Sequence, residues 1–290
     1  SASTLSLQLA FDSAQALSTS AEVDAVFIVS ANCSHHDDVI AAARAGKHIL
    51  VEKPMAMNTA EADRMVAECD RNQVKLMVGQ VIRFSPLVIH VRELVASGVL
   101  GKIVSARADY VYDARLSHRT WLRNRAVAGG GPVFDVGIHC LDTLRFVLDD
   151  QVESVQSTLI PSPTPAKTEH SAIISLQFSK GTLGSIACSF EGPLRHTLLE
   201  VVGTEGLAYA YDFTGSEQST VLHVEKRAAA ATPKTESVSV HVPNLYIEEV
   251  SAFSRCIMED TPSPIPGIEG IENQKVIDLA MNGGGRISRS

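Results

Sequence analysis

Residues 25–29 read Ala-Val-Phe-Ile-Val, and this unbroken apolar run decides the fold class. A strand without polar alternation is typical of a parallel sheet that is covered on both faces. Residues 49–51 (Ile-Leu-Val) and 76–78 (Leu-Met-Val) repeat the pattern, and a helical segment separates each pair of runs. Strands that alternate with helices through short connections indicate right-handed crossovers in an α/β sheet.

The two helical segments are predicted from their caps. Residues 37–45 have a helical composition and precede Gly46, which suits a left-handed C-cap. Asn58 stands three residues before Glu61, the spacing of a capping box. One face of this second helix is apolar and consists of Ala62, Met65, Val66 and Cys69.

Beyond residue 102 the sequence changes character, because β-prone stretches become longer and some are joined by glycine-containing turns such as Lys180-Gly181. These stretches are residues 103–112, 152–160, 171–178, 182–190, 198–202 and 221–224. Helices are predicted at 133–148, 246–258 and 268–281, and loops at 161–165 and 228–234. We therefore predict an α/β domain with a parallel sheet over residues 1–102. An α+β domain with a large, mostly antiparallel open sheet is predicted over residues 103–290.

Composition excludes several classes of protein. With 290 residues, 45% apolar and 20% charged, the chain is unlike disordered, collagenous or coiled-coil sequences. A formal charge of -8 argues against a nucleic-acid partner. The five cysteines form no Cys-x-x-Cys pair, which predicts neither a disulfide framework nor a zinc site and favours the reducing cytoplasm. No run of 18 apolar residues predicts a membrane span, and residues 1–10 do not resemble a secretion signal.

A glycine run followed by acidic residues and a histidine is the strongest candidate site. Gly129-Gly130-Gly131 precede Asp135, His139 and Asp142, which fall within roughly 60° of one another on a regular helix. Asp135 could hold the His139 ring, as a general acid or base requires. Two alternatives remain open: a solvated polar face on an amphipathic helix, and a divalent-metal site formed by the same three side chains.

Two further candidate sites follow neighbouring strands. Glu52-Lys53-Pro54 comes directly after the second strand, and Ser30, Asn32 and His35 follow the first. Residues beyond the carboxyl ends of parallel strands line the ligand crevice of open α/β sheets. The alternatives are a surface lysine and an ordinary turn in which Ser34 or Asn32 caps the helix that begins at Asp37.

Together these motifs resemble the glucose-fructose oxidoreductase, inositol dehydrogenase and MocA family. Ser30-Ala31-Asn32 with His35 is similar to the family's T-P-N-x-x-H, with Ala31 in place of proline. Residues 45–54 (AGKHILVEKP) resemble A-G-K-H-V-x-x-E-K-P, and residues 83–86 (RFSP) resemble R-F-x-P. Residues 98–101 (GVLG) resemble G-x-x-G, and residues 130–142 resemble G-G-x-x-x-D-x-G-x-H-x-x-D.

The resemblance implies an oxidoreductase that transfers hydride between NAD or NADP and a sugar-like or polyol-like substrate. It implies that Lys53, Asp135 and His139 are catalytic, with Lys53 and His139 acting on the same substrate oxygen. Cofactor-binding residues would be Ser30, Asn32, His35, Glu52, Lys53 and Pro54. Substrate-binding residues would be Arg83, Trp121, Asp135, His139 and Asp142, with no metal. The open sheet of the second domain would form a homodimer or homotetramer.

The sequence departs from the family pattern at its N-terminal end. No G-x-G-x-x-G turn occurs in the chain, and residues 5–17 already resemble the segment that follows that turn. Roughly 50 residues of an incomplete Rossmann-type domain are therefore expected to be missing. Residues 283–285 (Gly-Gly-Gly) follow a helix and are interpreted as a tail or helix stop. The alternative function is a non-catalytic ligand-binding or oligomerisation protein that has lost its dinucleotide site.

Overall fold

The three apolar runs near the N-terminus form the parallel sheet that their composition predicts. The computed structural model describes residues 10–227 and 234–287, so residues 5–9 of the segment 5–17 lie outside it. The strands are β1 (Ala25–Ile28), β2 (His48–Glu52) and β3 (Leu76–Gly79), paired in that order and all in parallel. The helices are α1 (Ala14–Thr19), α2 (His35–Arg44) and α3 (Thr59–Arg71). Because α2 and α3 connect successive strands, the predicted α/β alternation is confirmed.

The caps of these helices agree with the sequence in part. Gly46 has φ +73°, as the predicted left-handed cap requires. The Asn58 side chain accepts a hydrogen bond from the Glu61 N–H at 3.0 Å, while the Glu61 carboxylate accepts from the Met57 N–H at 3.1 Å. The start of α2 at Asp37 was wrong: a 3₁₀ turn over Asn32–Ser34 leads directly into His35, and the Ser34 side chain makes no capping hydrogen bond.

A nine-stranded sheet forms the second half of the fold, in the order β11-β10-β9-β8-β4-β7-β6-β5-β12. Every pairing is antiparallel except that of β4 with β7. Its strands are β4 (Ile103–Asp113), β5 (Val152–Ile160), β6 (Ser171–Phe178), β7 (Leu183–Ser189), β8 (Glu191–Gly203), β9 (Gly206–Tyr211), β10 (Gln218–Lys226), β11 (Lys234–Val242) and β12 (Gly284–Arg286). The associated helices are α4 (Pro86–Ala96), α5 (Arg125–Ala128), α6 (Ile138–Leu148), α7 (Leu245–Met258) and α8 (Gly267–Met281). The predicted mostly antiparallel sheet is therefore confirmed.

The two faces of this sheet differ in burial. One row of paired residues across the central strands is buried in the core, together with side chains of α4 and α6. That row is Ile174, Ile186, Ala108, Leu199 and Ala210. The neighbouring row faces the other way because side chains alternate along a strand. It contains Ile173 and Tyr211, which are 54% and 52% exposed.

Strands with a weak apolar signal were missed or cut short by the sequence analysis. β8 is much longer than the predicted 198–202, and β9, β11 and β12 were not predicted. Residues 283–285 are not a tail, because β12 pairs antiparallel with β5 through Gly284 and Gln156. The alternative interpretation as a helix stop agrees with Gly283, which follows the end of α8 with φ +87°. Glycine and alanine carry little strand propensity, which explains why β9 and β12 were missed. β11 has alternating valines at positions 238, 240 and 242, a period-2 signal that the sequence analysis overlooked. Of the predicted loop 228–234, residues 228–233 lie outside the described residues.

Contacts divide the described residues into two compact units. Those up to Gly79 together with Ala252–Ile271 form the first unit, and those in Gln80–Ser251 and from Glu272 onward form the second. The later segment joins the first unit partly through a hydrogen bond from the Val78 N–H to the Ile265 carbonyl at 3.0 Å. The boundary predicted at residue 102 remains a prediction, and α4 groups with the second unit. Within the part of the chain that the structure describes, no helix combines the length and apolarity needed to cross a bilayer.

Candidate active site

His35 holds together the two loops that follow β1 and β2. Its ring is buried, with Nδ1 2.9 Å from the Pro54 carbonyl oxygen and Nε2 3.0 Å from the Ser30 carbonyl oxygen. The Ser30 hydroxyl donates to the Asp38 carboxylate at 2.7 Å, and Asn32 is buried in the 3₁₀ turn between them. Four of the predicted cofactor-binding residues are therefore brought together within the first unit.

Lys53 lies directly beyond the end of β2. The Glu52 carboxylate accepts a hydrogen bond from the Lys53 backbone N–H at 3.0 Å, and the Lys53-Pro54 peptide bond is cis. The Lys53 side chain is half-buried, and the carbonyl of the next residue, Pro54, is bound by His35. This places an amine at the carboxyl edge of the parallel sheet, where open α/β folds bind their ligands.

The segment that carries Asp135 and His139 is not a regular α-helix. Residues Val133–Gly137 form a π-helical turn, and α6 begins at Ile138. The predicted 100° spacing therefore applies only from residue 138 onward, since a π turn holds more residues than an α turn. The solvated polar face was wrong as an alternative: Asp135 is 3% exposed and Asp142 is 1% exposed.

Asp135 is bound by two side chains that the sequence analysis did not identify. Its carboxylate accepts hydrogen bonds from the Tyr112 hydroxyl at 2.7 Å and from the Arg119 guanidinium at 3.0 and 3.2 Å. Burial, followed by the nearby Asp135 carboxylate, raises the pKa of Tyr112 well above its usual value. For Arg119, burial lowers the pKa but the Asp135 carboxylate more than offsets it, so that the pKa is raised. Both partners therefore remain donors to Asp135.

The His139 ring is half-buried and stacks on Tyr110, with ring centroids 6.5 Å apart and an interplanar angle of 28°. Tyr110 and Tyr112 lie on the same face of β4, two residues apart, with centroids 5.9 Å apart. Tyr110 thus packs against the His139 imidazole, and Tyr112 of the same strand binds the Asp135 carboxylate. A partly exposed imidazole held in this way is suited to proton transfer.

Arg83 and Asp142, predicted on the substrate side, bind each other. The guanidinium donates to both carboxylate oxygens, at 2.8 and 2.7 Å. Asn273 also donates to Asp142 at 2.8 Å. Trp121 packs at the edge of a small apolar cluster of Ala114, Leu122 and Phe190. A substrate contact by Arg83, Asp142 or Trp121 remains a prediction.

Of the two side chains that bind Asp135, only Arg119 had a signal in the sequence. Residues 113–125 contain four arginines in a chain whose formal charge is -8. Arg115 and Arg119 bind the carboxylates of Asp113 and Asp135. Basic residues concentrated upstream of a conspicuous carboxylate indicate a partner for that carboxylate.

A metal site at Asp135, His139 and Asp142 is not supported by the geometry. The Arg83 guanidinium binds Asp142 at 2.7 Å, and the Arg119 guanidinium binds Asp135 at 3.0 Å. Each guanidinium would repel a metal cation bound to the same carboxylate. Across residues 10–227 and 234–287, no group of three or more His, Cys, Asp or Glu side chains is arranged to hold a metal ion.

Comparison with known proteins agrees with this arrangement. Residues 2–80 match the oxidoreductase family with an NAD-binding Rossmann fold, and residues 88–209 match the GFO/IDH/MocA C-terminal domain. The chain is 33% identical over 186 residues to 1,5-anhydro-D-fructose reductase of Ensifer adhaerens, covering 64% of this chain and 56% of that protein. It is 30% identical over 224 residues to trans-1,2-dihydrobenzene-1,2-diol dehydrogenase of Bos taurus, covering 77% of this chain and 65% of that protein. The chain thus spans less than two thirds of either relative.

Similarity extends further along other relatives. Myo-inositol 2-dehydrogenase of Thermotoga maritima is 27% identical over 271 residues, which cover 92% of this chain and 79% of that protein. Levoglucosan dehydrogenase, solved with NADH and levoglucosan, superposes with a TM-score of 0.88 at 21% identity over 100% of this chain and 87% of that one. The structural likeness shows a shared fold. With two consecutive domains of the family matched in order, the chain belongs to the Gfo/Idh/MocA family of oxidoreductases.

Proposed function

We propose that the protein is an NAD(P)-dependent dehydrogenase or reductase that acts on a CH–OH group of a sugar, a polyol or a related small molecule. The observation that carries the proposal is a half-buried His139 imidazole four residues after the buried Asp135 carboxylate on one helical segment, in a chain of this family. The names of the relatives, which include reductases and dehydrogenases of sugars and inositol, support the substrate class.

The first unit fits a nicotinamide cofactor at the carboxyl edge of its sheet. Polar groups of Ser30, Asn32 and Glu52 follow the ends of two adjacent parallel strands, and His35 fixes both loops. Asn32 and Glu52 are the residues proposed to border the cofactor. When bound, a nicotinamide cofactor accepts or donates the hydride.

The roles of the residues follow from their chemistry. The Lys53 ammonium donates a hydrogen bond to the reacting oxygen and stabilises negative charge there. His139 accepts the hydroxyl proton as the carbonyl forms and returns it in the reductive direction. Asp135, fixed by Tyr112 and Arg119, orients His139 or binds a neighbouring substrate hydroxyl.

Assembly and location are part of the proposal. The row of the open sheet face that contains Ile173 and Tyr211 exposes apolar side chains, which favours a homodimer or homotetramer through this face. The five cysteines are free thiols, four of them buried, which favours a reducing cytoplasm.

The test is an assay of the full-length protein with NAD and NADP against myo-inositol, D-xylose and levoglucosan, and with NADH and NADPH against 1,5-anhydro-D-fructose. We expect a change in the absorbance of the reduced nicotinamide with at least one of them. The alternative, a non-catalytic ligand-binding or oligomerisation protein, predicts no turnover and no binding of either cofactor by calorimetry. Cofactor binding with turnover excludes the alternative, and the absence of both contradicts the proposed function.

A further inference from the structure

A buried glutamate lies at the start of the helical segment that carries Asp135 and His139. Glu169, in the connection between β5 and β6, is 0% exposed. Its Oε1 accepts hydrogen bonds from the backbone N–H groups of Gly131 at 2.8 Å and Val133 at 3.1 Å. The first N–H groups of a helix have no partner within the helix. Glu169 therefore caps this segment from a distant part of the chain.

The backbones of the two segments also approach each other closely. A Cβ atom at Gly131 would lie 2.0 Å from the Glu169 carbonyl oxygen, so only glycine fits there. The Glu169 segment is itself anchored to the sheet at the next residue. The backbone N–H of His170 donates to the Ile160 carbonyl at 2.7 Å, and the His170 carbonyl accepts from the Phe190 N–H at 2.9 Å. The turn at Gly131 is thus connected, through Glu169 and His170, to the end of β5 and to Phe190.

This turn determines where the proposed catalytic residues lie. The Gly131 carbonyl accepts a hydrogen bond from the Asp135 N–H at 3.1 Å, and Val133 is the first residue of the π-helical turn. A shift of Gly131 or Val133 would therefore move Asp135, and with it the start of α6, where His139 is the second residue. Burial raises the pKa of Glu169, although the two N–H groups oppose that rise. An apolar residue would avoid the cost of burying this group, but it would leave both N–H groups without an acceptor.

We propose that Glu169 is a positioning residue of the active site, which fixes the turn from Gly131 to Val133 and thereby places Asp135 and His139. The inference rests on the proposed function, in which these two residues act on the substrate. Glu169 acts only through the backbone of the turn, by supplying a buried acceptor. Neither its charge nor any contact with reacting atoms is required.

The first test needs no turnover. Amide hydrogen exchange is measured at Gly131 and Val133 in the full-length protein and in Glu169→Ala and Glu169→Gln. Loss of the acceptor is expected to raise the exchange rates by about tenfold in the alanine variant, whereas the glutamine oxygen keeps them within about threefold. The control is Glu93→Ala, because Glu93 is an exposed glutamate on α4, in a different element from the turn and from Glu169. Unchanged exchange in a folded Glu169→Ala would overturn the inference.

The second test links the turn to catalysis. Glu169→Ala is expected to lower kcat by about 10- to 100-fold with KM within about threefold, because a small displacement of catalytic groups slows the chemical step. Glu169→Gln should restore kcat to within about threefold of the wild type. Glu169→Asp, which is one methylene too short to reach both N–H groups, should rank below Glu169→Gln.

Every outcome of these tests either supports or overturns the role proposed for Glu169. Wild-type kcat in a folded Glu169→Ala, or equal losses in the alanine and glutamine variants, would overturn the inference. If Glu169→Ala does not fold, a higher kcat for Glu169→Gln than for Glu169→Asp supports the inference and the reverse order overturns it. If the wild type turns over no substrate, the proposed function has failed, and the exchange rates alone decide the role of Glu169 in the turn.

Discussion

At the residue scale, Asp142 joins two arginines into one buried network. It binds Arg83 through both carboxylate oxygens and accepts a hydrogen bond from Asn273. The Asn273 side-chain oxygen in turn accepts from Arg145 at 2.7 Å. The side chains of Arg83 and Asp142 are 11% and 2% exposed, so neither charge is well solvated. This network determines how α6 is held, whatever it contributes to substrate binding.

Removal of Asp142 is expected to be strongly destabilising. Asp142→Ala leaves the Arg83 guanidinium buried without its carboxylate, which should lower the free energy of unfolding by about 3–5 kcal/mol. The matched control is Asp37→Ala, because the Asp37 side chain is 87% exposed and its pair with His36 should contribute less than about 1 kcal/mol. Urea denaturation measures both, and equal losses in the two variants would contradict the account of the network.

Thiol reactivity should separate Cys33 from the other cysteines. Cys33 is exposed, whereas burial raises the pKa of Cys69 to about 12 and also raises the pKa of Cys140, Cys188 and Cys256. A raised pKa lowers the fraction of reactive thiolate, so these four buried thiols should stay unreactive at pH 8. We expect Ellman's reagent to label Cys33 in the native protein, and Cys33→Ser to abolish the rapid phase. Rapid labelling that persists in Cys33→Ser would refute this assignment.

At the element scale, the segment around Asp135 shows where sequence analysis fails. The motif correctly placed Asp135 and His139 on one helical segment, but no local signal marks the π-helical turn over Val133–Gly137. Tyr112 and Arg119 were missed because they come from β4 and from a turn after it. Neither the turn nor these partners can be derived from spacing, since tertiary contacts determine both.

The strands differ in how well the sequence predicts them. Residues 25–29 were predicted correctly because an unbroken apolar run admits few other structures. The strand β12, with two glycines and an arginine, owes its existence to pairing with β5. The sequence therefore predicts elements that are stabilised by their own apolar side chains, and it misses those stabilised by a neighbour.

The capping box of α3 gives a prediction for a single element. Asn58→Ala removes the acceptor for the Glu61 N–H and should lower the free energy of unfolding by about 1 kcal/mol. Ser34→Ala is the matched control, because Ser34 occupies the N-cap of α2 without a side-chain capping bond. Its effect should stay within about 0.5 kcal/mol. Thermal or urea unfolding compares the two, and an equal or larger loss in Ser34→Ala would contradict the capping assignment.

At the scale of the whole molecule, the open sheet face is the proposed surface of assembly. Ile173 and Tyr211 lie in one row across the sheet, with Ala187, Asp109 and Leu198 between them. Ile173 and Tyr211 are the exposed apolar side chains of this row, whereas Asp109 between them is buried. The proposed interface therefore rests on two exposed apolar side chains that share one face of the sheet. The sequence predicted this face only through resemblance to the family, because alternation alone cannot distinguish a solvated face from a paired one.

Charge on this face should prevent assembly. Ile173→Lys with Tyr211→Lys is expected to convert the oligomer into a monomer, since two lysines would be buried without partners at the interface. Light scattering after size-exclusion chromatography gives the mass. Met258→Lys serves as the control, because Met258 is exposed on α7 and lies outside the sheet. A monomeric wild type, or an oligomer that survives both lysines, would contradict the proposed interface.

The proposed function depends on Lys53 and His139 acting on the same substrate oxygen. The most direct measurement is kcat/KM for the substrate that the full-length protein turns over, in Lys53→Met, His139→Asn and the double variant. Each single change should lower kcat/KM by about 10²- to 10⁴-fold. The double variant should fall little below the worse single variant, because residues that act as a unit are not additive. Near-wild-type turnover in either single variant, or losses that multiply fully in the double variant, would contradict the claim.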